Sequence, residues 1–541
     1  MHFQSRLLSV AILSVLAAGP AAAANATNGI ALRAQGLLDG AAARLAHRAD
    51  ADRFVARDVI VDADGTEHVR FDRTYRGLPV LGGDLVVHSR NGRVASISQT
   101  LRTPGRPAVA PRISASQAIV EAGARFGTGF QGAPTSRMVV WAGGATPVLA
   151  HEVLFSGIKR DQTPTDMHYI VDARSGRVLA QWDTVETAVP GPNGSTCSGA
   201  AAATGIGKSL TEGSVTLNTV RCTTGGYQLK DLTRGGGYTT NMAMRTSGTG
   251  SIFTDADNTW GNGGLTDSAT VAADAHYGVS KTWDYYKTVH GRSGIANDGK
   301  GALSRVHYGR NYANAFWSDA CFCMTFGDGD NGVSILPLVA LDVAGHEMSH
   351  GVTSRTAKLV YSGESGGLNE ANSDIFGTMV EWYTNNPNDP GDYLIGEKLY
   401  PNNNNGTLAL RYMFKPSLDG ASPDCYSAGI GSLNVHYSSG VANHFFYLLA
   451  EGAVVPAGFG AGTSYNLTSA SLVCNGNTAI SGIGRDAAQK IWYRALTTYM
   501  TSGTTYANAR AYTLSAAADL YGNASAQYNA VAAAWAAVGV N

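Results

Sequence analysis

The sequence predicts an α+β fold in successive parts: strand-and-helix modules first, a Gly-rich β-like stretch next, and a mainly helical last third. Three observations predict it. Short alternating segments with hairpin turns fill residues 55–182, the small-residue stretch VPGPNGSTCSGAAAATG interrupts the chain at 189–205, and helical periodicity takes over after about residue 265.

Taken in order, the chain opens with Arg6, a short apolar run at 7–16 and the small residues Ala22, Ala23 and Ala24, the pattern of a secretory signal peptide over 1–24. That run is too short for a membrane anchor, and no other segment is long enough to span a bilayer. From 55 to 101 the strands alternate, and VLGGDLVVHS turns at Asn91-Gly92 into RVASISQT, a hairpin signal. SASQAIVEAGARF at 114–126 has helical spacing after a Ser cap. A second hairpin, MHYIVDARSGRVLAQW at 167–182, turns at Ser175-Gly176. The stretch at 189–205 reads as an exposed linker and a domain boundary. Beyond it the β-like region runs to about 265, and helices are expected around 270–288, 338–353, 365–384, 436–451, 485–500 and 506–520.

Composition narrows the function. With 541 residues, 44% hydrophobic and 15% charged, the chain needs more than one core and is too apolar for disorder. Lys and Arg number 40 against 41 Asp and Glu, spread without long runs, so the footprint of a nucleic-acid binder is missing. The even set of 6 cysteines in an exported chain points to disulfides. Spacing alone leaves fifteen pairings open. The preferred one joins Cys197 to Cys222 and Cys425 to Cys474, leaving Cys321 and Cys323 to each other in a small ring; their CFC element lacks the spacing of a zinc or thioredoxin motif.

The chemistry-bearing pattern begins in LDVAGHEMSHGVTS. On a helix, the i and i+4 spacing of His346 and His350 puts both imidazoles on one face, where two neutral nitrogens reach one Zn²⁺. In GGLNEANSDIFGTMVEW, Glu370 and Asp374 share a face by the same spacing, so Glu370 offers a third ligand. Two His and one Glu leave a fourth position for water, the arrangement of a catalytic rather than a structural zinc. Glu347, between the histidines, is the candidate general base, and Asp374 is placed to accept the free ring N–H of a ligand His.

HEMSH followed by GGLNEANSD resembles the thermolysin family of neutral metalloendopeptidases, and YANAFW at 312–317, RYMFKP at 411–416, NVHYSSGVANHFFYLLAEG at 434–452 and GIGRDAAQKIWYRAL at 482–496 extend the likeness over roughly residues 200–541. The N-terminal third is similar to the family's propeptide modules. The resemblance implies a signal peptide at 1–24, a propeptide at 25–190, a β-rich catalytic lobe at 191–345 and a helical lobe at 346–541, with the zinc helix between the lobes.

It further implies a secreted zinc endopeptidase cutting on the amino side of bulky hydrophobic residues, with Val343 and Leu410 flanking the pocket. Glu347 would act on the zinc-bound water, Tyr361 and His436 would hydrogen-bond the oxyanion, and Asn314, Ala315 and Arg411 would bind an extended polypeptide. Asp342, Glu381 and Asp392 would hold at least one Ca²⁺, with Glu397 and the Leu394 carbonyl as additions; Leu394 replaces an acid found in some relatives, which favours one ion. The expected partners are polypeptide substrates and the chain's own propeptide, and the mature enzyme is expected to be a monomer. One departure stands out: relatives place an Asp shortly before the residue matching His436, whereas this chain has Gly431 and Asn434.

Overall fold

Residues 19–127, 129–184, 197 and 199–541 are described in this computed structural model of the chain. Residues 1–18 of the expected leader, and 185–196 and 198 of the expected linker region, lie outside them.

The N-terminal third builds one nine-stranded sheet from β1 (Asp52–Val61), β2 (Glu67–Tyr75), β3 (Leu78–Leu81), β4 (Leu85–Arg90), β5 (Arg93–Gln99), β6 (Thr135–Trp141), β7 (Val148–Ile158), β8 (Pro164–Asp172) and β9 (Val178–Asp183). The order is β5-β4-β2-β3-β6-β7-β8-β9, with β1 also on β2; β3–β6 is parallel and the remaining pairs antiparallel. The Asn91-Gly92 turn forms as expected: Arg90 pairs with Arg93, and both turn residues have positive φ, 52° and 72°, which Asn and Gly tolerate. Each half of the sheet buries one face under a helix. Ala34 and Leu38 of α1 (Gly19–Asp39) pack on Phe71, Leu85 and Val87, and Ala118 and Ala122 of α2 (Ala115–Gly123) pack on Phe155 and Tyr169. Ser114 caps α2 in a capping box with Gln117.

Past the linker, β10 (Ala201–Lys208) and β11 (Ser214–Arg221) pair antiparallel, and α3 (Ser268–His290) packs Ala272, Ala273 and Ala275 into a core with Leu217, Val306 and Met324. A six-stranded sheet ends on strand Ala315–Ser318, which among the described residues pairs only with Cys323–Gly327 and leaves its other edge open. The helical lobe follows: α4 (Leu341–Arg355), α5 (Gly363–Thr384), α6 (Val435–Ser438), α7 (Gly440–Glu451), α8 (Arg485–Arg494), α9 (Tyr506–Tyr521) and α10 (Ala526–Ala537), around a core that includes Phe376, Phe446 and Trp492 and the stacked pair Phe445 and Trp535. The disulfides are Cys197–Cys222, Cys321–Cys323 and Cys425–Cys474, the preferred pairing.

Several details differ from the sequence reading, which expected neither α1 nor α10. The single helix expected at 436–451 breaks at Ser439, because Asn434 caps a separate short turn. The helix expected at 485–500 ends in a π-helical turn, Ala495–Tyr499. The division at 345/346 falls inside α4.

Two contacts position the site. A Cβ on Gly345 would lie 2.9 Å from the Gly377 Cα, and one on Gly377 would lie 2.5 Å from the Asp342 carbonyl oxygen, so only two glycines allow α4 and α5 to cross this closely. The N-terminal sheet is bolted to the helical lobe: Arg70 donates to the carbonyls of Met500 (2.6 Å) and Thr497 (3.1 Å), Asp62 pairs with Arg494 (2.6 Å), and Asp84 accepts from the Ser502 amide (3.0 Å).

Candidate metal centre and active site

The α4–α5 crossing brings the motif residues together. The Nε2 atoms of His346 and His350 lie 3.0 Å apart, and Glu370 oxygens lie 3.6 Å and 3.5 Å from them. All three donors fall within 4.8 Å of one another. Both outer ring nitrogens are engaged: His346 Nδ1 donates to Asp374 (2.8 Å) and His350 Nδ1 to Asn369 (2.8 Å), which turns both Nε2 lone pairs inward. Glu370 Oε2 and Glu347 Oε2 are buried without a hydrogen-bond partner. Two inward imidazole nitrogens and an unpartnered buried carboxylate oxygen fit a tetrahedral zinc with an open fourth position.

The electrostatics follow from burial against neighbouring charge. Burial lowers His346, but the Asp374 hydrogen bond and charge, with Glu370 and Glu347, override it and raise the ring to about 9. Burial and the His346 charge lower His350 to about 4. Burial pushes Glu370 up, yet the charges of His436, His346 and His350 outweigh it and hold the carboxyl at about 2. Burial dominates at Glu347 and, with the Glu370 charge, raises it to about 7 against the His346 charge. His346, His350 and Glu370 would hold a metal only with His346 in its singly protonated form.

Asp374 is fully buried and accepts from His346, from Arg411 through Nε (2.8 Å) and Nη2 (2.6 Å), and from Asn443 (2.8 Å); despite burial, Arg411 and His346 hold it far below the usual carboxylate range. Arg411 thus secures the residue that orients His346 while still lining the cleft. The Tyr361 hydroxyl donates to Glu370 and lies 3.3 Å from His436 Nε2. His436, half-exposed, has its Nδ1 2.9 Å from Asn434 Oδ1, so Asn434 occupies the orienting position left open by Gly431.

These groups line one cleft of about 720 Å³. Asn314 and Ala315 lie along its open strand edge, and Leu338, Val343, Ile395 and Leu410 form an apolar side. Trp182, Asp183 and Thr184, at the end of β9, line it as well, as do Lys159 and Asp161 of the β7–β8 turn.

A second convergence lies nearby. Carboxylate oxygens of Asp342, Glu381 and Glu397 fall within 4.8 Å of one another, both Glu381 oxygens are buried and unpartnered, and burial with mutual repulsion raises Glu381 and Glu397 well above the usual range. Asp392 borders this group but turns Oδ1 to the Leu394 amide (2.7 Å). Asp389, fully buried with both oxygens lacking a hydrogen bond, adds its charge to the cluster. Sequence reasoning missed Asp389, Asn369 and Asn443. Asn369 had a signal, its place directly before Glu370; the other two had none.

Comparison with known proteins is consistent along the chain. Residues 204–354 match the family profile for the thermolysin metallopeptidase catalytic domain, 357–540 that for the thermolysin metallopeptidase alpha-helical domain, and 52–101 the fungalysin/thermolysin propeptide motif. The chain is 49% identical over 497 residues to a transglutaminase-activating metalloprotease of Streptomyces mobaraensis, covering 90% of this chain and 61% of that protein. It is 38% identical over 499 residues to thermolysin of Alicyclobacillus acidocaldarius subsp. acidocaldarius, covering 88% and 84%. A bacillolysin of Bacillus cereus is 36% identical over 528 residues, covering 92% and 87%. Among solved structures, the precursor of protealysin from Serratia proteamaculans aligns with a TM-score of 0.43 at 27% identity, over 56% of this chain and 87% of that one.

Proposed function

Since this chain belongs to the thermolysin family of metallopeptidases, we propose that it is a secreted enzyme that hydrolyses internal peptide bonds on the amino side of bulky hydrophobic residues. It is a metalloendopeptidase. The observation that carries the finer reading is Glu347, buried and unpartnered at Oε2 beside the three convergent ligands, at the floor of a cleft with one open strand edge.

His346, His350 and Glu370 would hold zinc, which would supply Lewis acidity and a more acidic water. Glu347 accepts a proton from the attacking water and returns it to the leaving amine. Tyr361 and His436 face the position where charge develops on the carbonyl oxygen and act as its donors. An extended substrate adds to the edge at Asn314 and Ala315 by main-chain bonds, with its apolar side chain among Val343, Leu410 and Ile395. Arg411, tied to Asp374, holds His346 in register and faces the same pocket.

Calcium is the ion proposed for Asp342, Glu381 and Glu397, with Asp392 and Asp389 beside them: Lys398 lies 3.6 Å from Asp389, yet both Glu381 oxygens stay unpartnered, and hard oxygen donors gathered so closely suit the ion. Residues 25–190 are proposed as a removable propeptide, with residues 182–184 in the cleft as its inhibitory end. Among the described residues no helix is long and apolar enough to cross a membrane. The test is digestion of an end-blocked peptide containing one internal Leu or Phe. Cleavage on the amino side of that residue, lost on chelation and restored by zinc, is expected; removal of terminal residues alone, or cleavage indifferent to chelator, overturns the reading.

A further inference from the structure

Between the N-terminal sheet and the helical lobe lies a buried histidine pair remote from the cleft. His68 on β2 and His88 on β4 sit opposite each other across the sheet, both 3% exposed, with their Nδ1 atoms 2.6 Å apart. The face they present is covered by the helical lobe: Tyr499 stacks on His88 at 4.6 Å between centroids and meets His68 edge-on at 5.9 Å. His68 Nε2 lies 2.8 Å from Asp62 and 3.1 Å from Arg494, and His88 Nε2 lies 2.8 Å from the Ser98 hydroxyl. Arg70 stands beside the pair on β2, and Asp519 accepts from both Arg494 and the Tyr499 hydroxyl. Tyr512 stacks behind Tyr499, and Asp64, Arg90 and Asp84 complete the charges around this face.

Hydrogen counting gives the consequence. Across a 2.6 Å nitrogen–nitrogen contact only one atom can carry a hydrogen, so the two rings together hold at most three N–H groups and one positive charge. His68 turns Nε2 to Asp62 and His88 turns Nε2 to the Ser98 hydroxyl. A second charge forces two N–H groups against each other, next to Arg70 and Arg494, and among the described residues no carboxylate hydrogen-bonds to His88. We propose that the pair is a proton-operated latch: it holds the propeptide sheet on the helical lobe while the rings share a hydrogen, and lets the sheet go when acid charges both. Burial and the neighbouring cations His68, Arg70 and Arg494 hold His88 well below its ordinary value of 6.5, in keeping with this.

The sign follows from linkage. The undocked sheet exposes both rings, each free to take a proton below the ordinary value of 6.5, whereas the docked pair holds at most one, so the undocked sheet binds at least one more proton in acid and docking weakens as pH falls. One proton makes the undocked population rise about tenfold per pH unit. A propeptide severed at the linker then stays bound near neutrality and leaves in acid. This use of the latch rests on the propeptide reading above, but its test does not require cleavage.

Hydrogen exchange is followed from pH 7.5 to 5 on the full chain carrying Glu347→Gln, in peptides covering 84–90 and 495–502, with intrinsic chemical exchange corrected for. Protection is expected to fall about tenfold per pH unit below pH 6.5, and His88→Gln in the same background to flatten that slope. Asp62→Asn, which removes the ion pair to Arg494, is expected to lower protection at every pH. Flat protection in the Glu347→Gln chain alone overturns the latch, even should the histidine variants misfold, and so does an unchanged slope in both His88→Gln and His68→Gln. Failure of the propeptide reading would appear separately, as a chain whose linker is never cut.

Discussion

Adding or withdrawing calcium should change how stability depends on pH, and the acidic cluster sets the size of the effect. Burial, with repulsion from Asp389 and Asp392, raises Asp342 from 3.8 to about 7, and Asp392 is raised to about 6 by burial first and then Asp389. Glu381 and Glu397 move the same way. A carboxyl whose folded pKa exceeds its unfolded one binds more protons when folded, so its contribution is most favourable in acid and is lost as pH rises through the folded value. For Asp342 alone, about 3 units at 1.36 kcal/mol each amount to at most roughly 4 kcal/mol withheld from the fold above pH 7. Calcium at about a hundred times its Kd returns about 2.7 kcal/mol per site, and more of this at pH 7.5 than at pH 5, where the ligands are protonated. Urea unfolding of the Glu347→Gln chain measures it, in zinc-containing buffer with and without calcium, between pH 5 and 7.5; this background prevents self-digestion and removes the slope of Glu347 itself. The calcium increment, from which the opposite slope of the histidine pair cancels, should be larger at pH 7.5 than at pH 5. An increment equal at the two pH values, or larger at pH 5, refutes the reasoning.

Glu347→Gln should retain zinc, since all three ligands remain, yet lose at least roughly a hundredfold in turnover; metal analysis beside kinetics checks both, and near-normal turnover in a zinc-loaded variant removes the assignment. His436→Ala should lower kcat more than it raises KM, by about 2.7 to 4 kcal/mol of transition-state stabilisation, and a change in KM alone would reassign it to substrate binding. Gly377→Ala should destabilise by about 1 to 3 kcal/mol and weaken zinc retention, because its new methyl meets the Asp342 carbonyl oxygen at 2.5 Å and drives α5 off α4; unchanged melting and zinc affinity would show that the crossing has slack. Expressed without other proteases, the Glu347→Gln chain should accumulate as a signal-cleaved precursor while the parent yields a catalytic chain of roughly 350 residues, a size within the range of one large or two ordinary domains; identical trimming of both excludes self-processing.

The candidate metal site was legible because helical periodicity converts spacing into direction. His346 and His350, and Glu370 and Asp374, each share a helix face, and the 3.0 Å approach of the two imidazoles follows from i and i+4 spacing once α4 forms. The hairpin at Asn91-Gly92 and the cap at Ser114 were legible for the same reason, being local. What depended on chain crossing was not. Arg411 reaches Asp374 across 37 positions, and Asn443 across 69, with no period to announce either contact. The π turn at Ala495–Tyr499 and its sheet-binding carbonyls at Thr497 and Met500 carry no sequence signal, because an extra residue in a helix is visible only as geometry. Helix α10 passed unnoticed because its run of alanines has strong propensity but hardly any apolar stripe to set a face.

The three proposed ligands and Glu347 all come from α4 and α5, whereas the strand proposed to receive substrate and the segment at 394–411 that lines the cleft lie outside that pair of helices. The metal donors and their neighbouring base therefore travel as one block, tied through Arg411 to the segment beside them. Exchanging Leu410 should change which sequences are cut while leaving every proposed metal ligand in place, whereas a single methyl at the glycine crossing should disturb the reaction for every substrate alike.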